Sequence, residues 1–261
     1  MSRQDKETDS DFPAGVALVV GGSGGLGAAI ARGMAAAGSA VVLTWRNTPA
    51  PAEALAADLR AGGADATATG LDLADAEATA ATLERIGERH GPLHSVICAA
   101  GAAIDQPRIS GLDPATFRKV IDDDLNGFFH LVNAVLPALR RSRGSLTAVT
   151  SAGLHRWPPG DALSVVPKAG IESLVKGLAR EEGRYGIRAN CVAPGVIEAG
   201  MFLRLRQGDL DEEWQKAALR NTPLRRFGQA REIADAVVFL ASRRAAYITG
   251  QTLILDGGYH L

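Results

Sequence analysis

Val20-Gly21-Gly22-Ser23-Gly24-Gly25-Leu26-Gly27 is the stretch on which the reading of this chain turns. An apolar run, residues 16–20, precedes it and reads as a buried strand. An alanine-rich run, residues 28–37, follows and reads as a helix. Strand, glycine-rich turn and helix together make a phosphate cradle. Glycine lets the backbone turn tightly and approach a ligand closely, and the helix N-terminus offers unpaired N–H groups to an anion. A ligand-free strand-to-helix turn would use glycines too, so the flanking sequence has to decide.

Working outward, a β-branched run at 40–44 ends at Trp45-Arg46-Asn47, and Pro49 and Pro51 break the chain before a helix over 53–61. Gly62-Gly63 closes that helix. A strand over 66–71 runs into Asp72, a helix over 75–90 follows, and a fourth strand over 93–99 closes on Ala100-Gly101. Beyond it come a long helical stretch at 114–139, a strand at 145–150 and a Gly/Pro-rich loop at 153–161. A helix then puts Ile171, Leu174, Val175 and Leu178 on one face. Because Pro167 suits only the first turn of a helix, that helix is expected to start close to it. A strand at 187–192 ends in Pro194-Gly195. A helical insertion at 201–219, a helix at 231–241 and a strand at 253–255 complete the chain. The alternation predicts an α/β fold: a doubly wound parallel sheet with helices on both faces, its ligands beyond the carboxyl ends of the strands. No internal repeat or composition break interrupts it, so one domain is expected over 14–261, behind a disordered tail at 1–13.

The totals narrow the function classes. Hydrophobic residues make up 46% of the 261 positions and charged residues 22%, and the formal net charge is −1. That balance gives no footing for nucleic acid or an anionic membrane. Cys98 and Cys191 make neither a disulfide framework nor a zinc spacing, which fits a reducing compartment. No apolar run nears the ~18 residues of a membrane span, and the polar N-terminus lacks a signal-peptide core. A soluble cytoplasmic protein acting on a small molecule is expected. Asp122, Asp123 and Asp124 look metal-like by composition, but adjacent helical residues point in different directions and no metal site is expected.

Further motifs fall at consistent spacings: Asp72-Leu73 after the third strand, Ala99-Ala100-Gly101 after the fourth, Ser151 after the fifth, and Lys168-Ala169-Gly170 in the next helix. They continue with 186–190 (Gly-Ile-Arg-Ala-Asn), Ala193-Pro194-Gly195, 247–251 (Tyr-Ile-Thr-Gly-Gln) and Asp256-Gly257-Gly258. Over residues 14–259 the chain resembles the short-chain dehydrogenase/reductase family, in its 3-oxoacyl-acyl-carrier-protein-reductase-like branch. The resemblance implies a seven-stranded Rossmann sheet, an NAD(P)(H) cofactor and a homo-oligomer, tetramer or dimer. It assigns cofactor contacts to Gly21, Ser23, Gly25, Leu26 and Gly27 of the loop, to Asp72 and Leu73 beside the adenine, and to Ala100, Gly101, Lys168, Pro194, Gly195 and Ile197. At the end of the second strand a carboxylate would bind the ribose hydroxyls of NAD(H); Arg46 stands there instead and suits a 2′-phosphate. NADP(H) is therefore favoured over NAD(H), although Gly24 stands where many NADP(H)-using members carry an Arg.

The family's chemistry uses a Tyr four residues before the Lys, a Ser thirteen before that Tyr, and an Asn on the preceding helix. Ser151 and Lys168 fit. The tyrosine position is Ser164 and the asparagine position Asp124, with Asn126 the alternative if the register slips by two. A serine hydroxyl is shorter and far less acidic than a phenol, so it does not replace the proton donor directly. Asp124 could pair with Lys168. His155, in the loop after Ser151, could supply a proton, and Asp161 is a weaker candidate of the same kind. Cys98 reads as a packing residue. Val20, Cys98, Ala99 and Ala199 also depart from the family's usual residues near the cofactor. Three readings follow: an NADP(H)-dependent carbonyl oxidoreductase with a non-standard site, a dienoyl- or enoyl-CoA-reductase-like enzyme whose tyrosine position would be Gly153, and a non-redox scaffold that binds a nucleotide or substrate.

Overall fold

The computed structural model describes residues 11–101, 104–206 and 211–261. Seven parallel strands form one sheet in the order β3-β2-β1-β4-β5-β6-β7. They are β1 (Val16–Val20), β2 (Ala40–Trp45), β3 (Ala66–Gly70), β4 (Leu93–Cys98), β5 (Ser145–Val149), β6 (Arg188–Pro194) and β7 (Thr252–Leu255). The order reverses between β1 and β4, which opens a crevice at the carboxyl ends of those two strands. This is the expected doubly wound, Rossmann-type α/β sheet.

The pleat assigns the side chains to two cores. In β1, Ala17 and Val19 face one core, and Val16, Leu18 and Val20 face the other. Both faces are covered, so all five residues are buried. On the first face lie α1 (Gly25–Ala36), α2 (Ala50–Ala61) and α9 (Ala230–Ala241), contributing Ile30, Leu55 and Val237. On the second lie α3 (Ala76–His90), α5 (Gly127–Ser142) and α6 (Ala162–Glu182), contributing Leu83, Phe128 and Ile171.

Three local expectations are revised. The helix expected over 114–139 is two helices, α4 (Pro114–Val120) and α5, joined by a π-helical turn, Ile121–Asn126, with wider backbone spacing. The helix α6 starts at Ala162 and runs straight through Pro167, which lies beyond its first turn. Burial of Leu163, Val165, Pro167 and Ile171 outweighs the hydrogen bond that proline cannot donate. The tail expected over 1–13 ends sooner. Phe12 is buried and stacks on His94 at 5.4 Å, while the Asp11 carbonyl accepts a bond from Arg243 N. Residues 1–10 lie outside the described residues. The insertion at 201–219 comprises α7 (Met201–Leu205) and α8 (Glu212–Asn221), with 207–210 also outside the description.

Candidate active site

The glycine turn is shaped by close backbone approach. Gly21 has φ +78°, and a Cβ on it would lie 2.8 Å from Ala100 N; a Cβ on Gly27 would lie 2.1 Å from the Gly21 carbonyl oxygen. Only glycine fits either position. Gly21 N also donates to Thr44 Oγ1 at 3.3 Å, tying the turn to β2. The helix that follows, α1, has Gly24 at its N-cap, no side chain bonded to its first turn and no acid there. Asp75, Asp113 and Asp211, by contrast, cap α3, α4 and α8. The N-terminus of α1 thus keeps its unpaired N–H groups and positive end for an anion.

A cleft of about 390 Å³ opens beside this turn, with Gly21, Ser23, Arg46, Asp72, Leu73, Ala100 and Gly101 in its walls. Arg46 stands at its mouth, 43% exposed, 3.5 Å from the Asp123 carboxylate, which also binds Lys119 at 2.7 Å. Gly25, Leu26 and Gly27 form the first turn of α1. Pro194 ends β6, and Gly195 N donates to the Leu255 carbonyl; a Cβ on Gly195 would lie 2.6 Å from that of Asp256. Ile197 is buried and bridged to Gly228, a packing position at the edge of this group.

Lys168 meets residues of the cleft wall from behind. Its Nζ donates to the Ala100 carbonyl at 3.1 Å and lies 3.2 Å from Asp124 Oδ2, with both side chains nearly buried. A Cβ on Gly101 would touch both groups, at 3.6 and 3.9 Å. The π-helical turn brings Asp124 there. Asn126 points the other way and donates to Asp122 at 2.8 Å on the exposed face, so Asp124 occupies the position beside the lysine. Ser164 precedes Lys168 by one helical turn, and because α6 is continuous through Pro167 the two share a face.

Ser151 follows β5, and its Oγ accepts from Gly153 N at 3.1 Å. His155 is exposed and set edge-on to His260 at 6.2 Å, while His260 Nδ1 lies 2.8 Å from Asp256 Oδ2. The His155 ring thus sits beside the C-terminal turn. Asp161, which sequence reasoning ranked low, is buried, and burial pushes its carboxyl up to about 6 against a weaker opposing hydrogen bond from Gln106. Nothing in the local sequence shows that this aspartate turns inward. Burial likewise raises the Cys98 thiol, consistent with a packing role. Phe202 and Leu205 pack with Trp214, Phe227 and Val196 in a small apolar cluster, while Leu203 is exposed.

A family model described as enoyl-(acyl carrier protein) reductase matches residues 20–260. The chain belongs to the short-chain dehydrogenase/reductase family. Among its relatives, the 3-oxoacyl-[acyl-carrier-protein] reductase of Staphylococcus aureus is 35% identical, covering 94% of this chain and 98% of its own. The counterpart from Pseudomonas aeruginosa is 37% identical over 94% and 97% of the two chains. The solved gluconate 5-dehydrogenase of Burkholderia cenocepacia, in complex with NADP and tartrate, superposes with a TM-score of 0.88 at 29% identity, covering 94% and 95%. The protein is thus a short-chain oxidoreductase that uses a nicotinamide cofactor. Among the described residues no helix is long and apolar enough to cross a membrane, and no group of His, Cys, Asp or Glu is arranged to hold a metal ion.

Proposed function

We propose that the protein is an NADP(H)-dependent reductase of a carbonyl compound whose site works without the family's tyrosine. The observation that carries this reading is the convergence of Lys168, Asp124 and the Ala100 carbonyl at Gly101, at the wall of the cleft that also holds the glycine cradle and Arg46. The residues present fit a dinucleotide phosphate. The uncapped end of α1 suits a pyrophosphate, Arg46 a 2′-phosphate, and Lys168 the hydroxyls of a ribose. When bound, the cofactor supplies or accepts a hydride. Ser151 holds the substrate oxygen by hydrogen bonding, and Lys168, neutralised by Asp124, holds the sugar. Ser164 leaves the space a phenol would fill.

The enoyl-reductase reading has less support. Its tyrosine would come from position 153, where a Cβ would already lie 2.9 Å from Val165 Cγ2. The relatives' names point to 3-oxoacyl thioesters, so acetoacetyl-CoA is the natural first probe. The expected outcome is NADPH binding with slow reduction of acetoacetyl-CoA, and a gain of at least tenfold in kcat in Ser164→Tyr. Rates in the unaltered protein equal to those of tyrosine-bearing relatives would refute the non-standard site. NADPH binding with no hydride transfer in either protein, over a panel of ketones and enoyl thioesters, would favour a scaffold role.

A further inference from the structure

Asp161 occupies the N-cap position of α6, where an aspartate ordinarily accepts hydrogen bonds from the first turn. It makes no such bond. Its backbone carbonyl takes Ser164 N and Val165 N, and its side chain turns into the protein, where the residue is buried. Among the described residues, the carboxylate has one weak neutral partner, Gln106 Nε2 at 3.4 Å. Gly160 fixes the arrangement: at φ +85°, a Cβ there would lie 2.7 Å from the Gln106 carbonyl oxygen, so only glycine lets the two loops meet.

The carboxyl faces Ser151. A Cβ on Gly153 would stand 3.1 Å from Asp161 Oδ2 and 3.1 Å from Ser151 Oγ, so the two oxygens are at most about 6 Å apart. One carbonyl oxygen that accepts two hydrogen bonds of ordinary length, about 120° apart, spans about 5 Å, which lies within that upper limit. We propose that Asp161 is the acid that protonates the substrate oxygen held by Ser151, the role a tyrosine at 164 would otherwise take. This rests on the reading of the protein as a carbonyl reductase. The substrate carbon gains the hydride, the carbonyl π pair moves to oxygen, and the Asp161 O–H proton joins that oxygen to give the alcohol. The carboxylate left behind regains a proton from water; oxidation of the alcohol runs the same steps in reverse.

The surroundings suit a proton donor near neutral pH. Burial lifts the carboxyl to about 6, and Gln106 opposes this. Gln106 is hydrogen-bonded to it, the Ser151 hydroxyl and the apolar Val165 border the same glycine, and among the described residues no charged side chain shifts its ionisation. A carboxylic acid in an apolar, weakly bonded site is held protonated in this way.

The test uses the full-length protein, NADPH and acetoacetyl-CoA across about pH 5 to pH 8, together with infrared titration of the cofactor-free protein. In the wild type, kcat/KM should fall about tenfold per pH unit above about pH 6, and a protonated-carboxyl band should disappear with a midpoint near 6. Asp161→Asn should lose that band and lower kcat by about 10²- to 10⁴-fold, with a flat pH profile, while its NADPH affinity stays within about twofold and shows that the site is folded. His155→Gln should leave the profile in place. Wild-type kcat in Asp161→Asn, absence of the band, or loss of the pH dependence in His155→Gln would overturn the assignment of Asp161 alone. So would reduction by Ser164→Tyr with none by the wild type. Absence of reduction in both the wild type and Ser164→Tyr would overturn the reductase reading and this inference with it.

Discussion

Arg46 illustrates how a residue's place can follow from the sequence while its resting partner stays invisible there. Its place after β2 follows from chain order, but its ion pair with Asp123 is set by where the π-helical turn falls. The pair is half exposed and so contributes little to stability. A 2′-phosphate can compete for the guanidinium at small cost. Arg46→Ala should weaken NADPH binding about tenfold or more and leave NADH binding within about twofold, as read by fluorescence titration of each. Equal losses for both would remove Arg46 from the phosphate site. Asp161 carries a second residue-level consequence. Its folded-state pKa lies above the unfolded value, so its contribution to stability is complete below about pH 4 and is lost as pH rises through about 6. Asp161→Asn should therefore raise the unfolding free energy at pH 8 by up to about 3 kcal/mol and leave it nearly unchanged near pH 4, as followed by urea denaturation. A drop at pH 8 would show that the carboxylate is better paired than its single bond to Gln106 implies.

At the scale of elements, the glycine turn and the strands were legible because both carry local signals: alternation of long apolar runs with helices, and glycines where only glycine fits. The continuity of α6 through Pro167 was not, because local rules oppose it and only packing against the sheet supports it. The segment before β1 was hidden for the same reason. Asp11 and Phe12 follow a polar run, yet Phe12 covers the edge of the core and stacks on His94, which is wedged between the Ser39 and Ser95 hydroxyls at 3.1 and 3.0 Å. Burial, with Arg243 nearby, lowers the His94 pKa to about 4. Phe12→Ala should cost about 3 kcal/mol, read as a lower urea midpoint with unchanged slope. A change below about 0.5 kcal/mol would mean that the segment is not docked in solution.

For the whole molecule, His94 and Asp161 act in opposite directions with pH. The histidine's folded pKa is depressed, so stability is complete above about pH 6.5 and declines as pH falls toward 4. The aspartate gains over nearly the same window as pH falls. The wild type should be nearly flat in stability between about pH 4 and pH 6 with respect to this pair, and Asp161→Asn should expose the histidine as a steeper acid decline. A flat profile in the variant would exclude that compensation. Assembly is the other property at this scale. Phe129 on α5, Tyr247 and the edge-strand residue Leu253 are exposed in the single chain, and β7 leaves one side of the sheet unpaired. Light scattering should give two or four times the 27.2 kDa chain mass, and Phe129→Glu should shift it downward. A monomer at micromolar concentration would rule out the expected oligomer.

The sequence by itself determined the order and type of the elements, the parallel sheet and the glycine turn. Each of these follows from periodicity, from backbone restrictions or from residue type in a fixed spacing, all of which act over a few neighbouring residues. Only the tertiary structure decided that Asp124 rather than Asn126 meets Lys168, that His155 sits beside the C-terminal turn, and that Asp161 leaves its helix cap to face Ser151. Side-chain direction and burial depend on what other segments bring alongside, and in this chain Gln106 meets Gly160 and Asp161 only after the loops have packed.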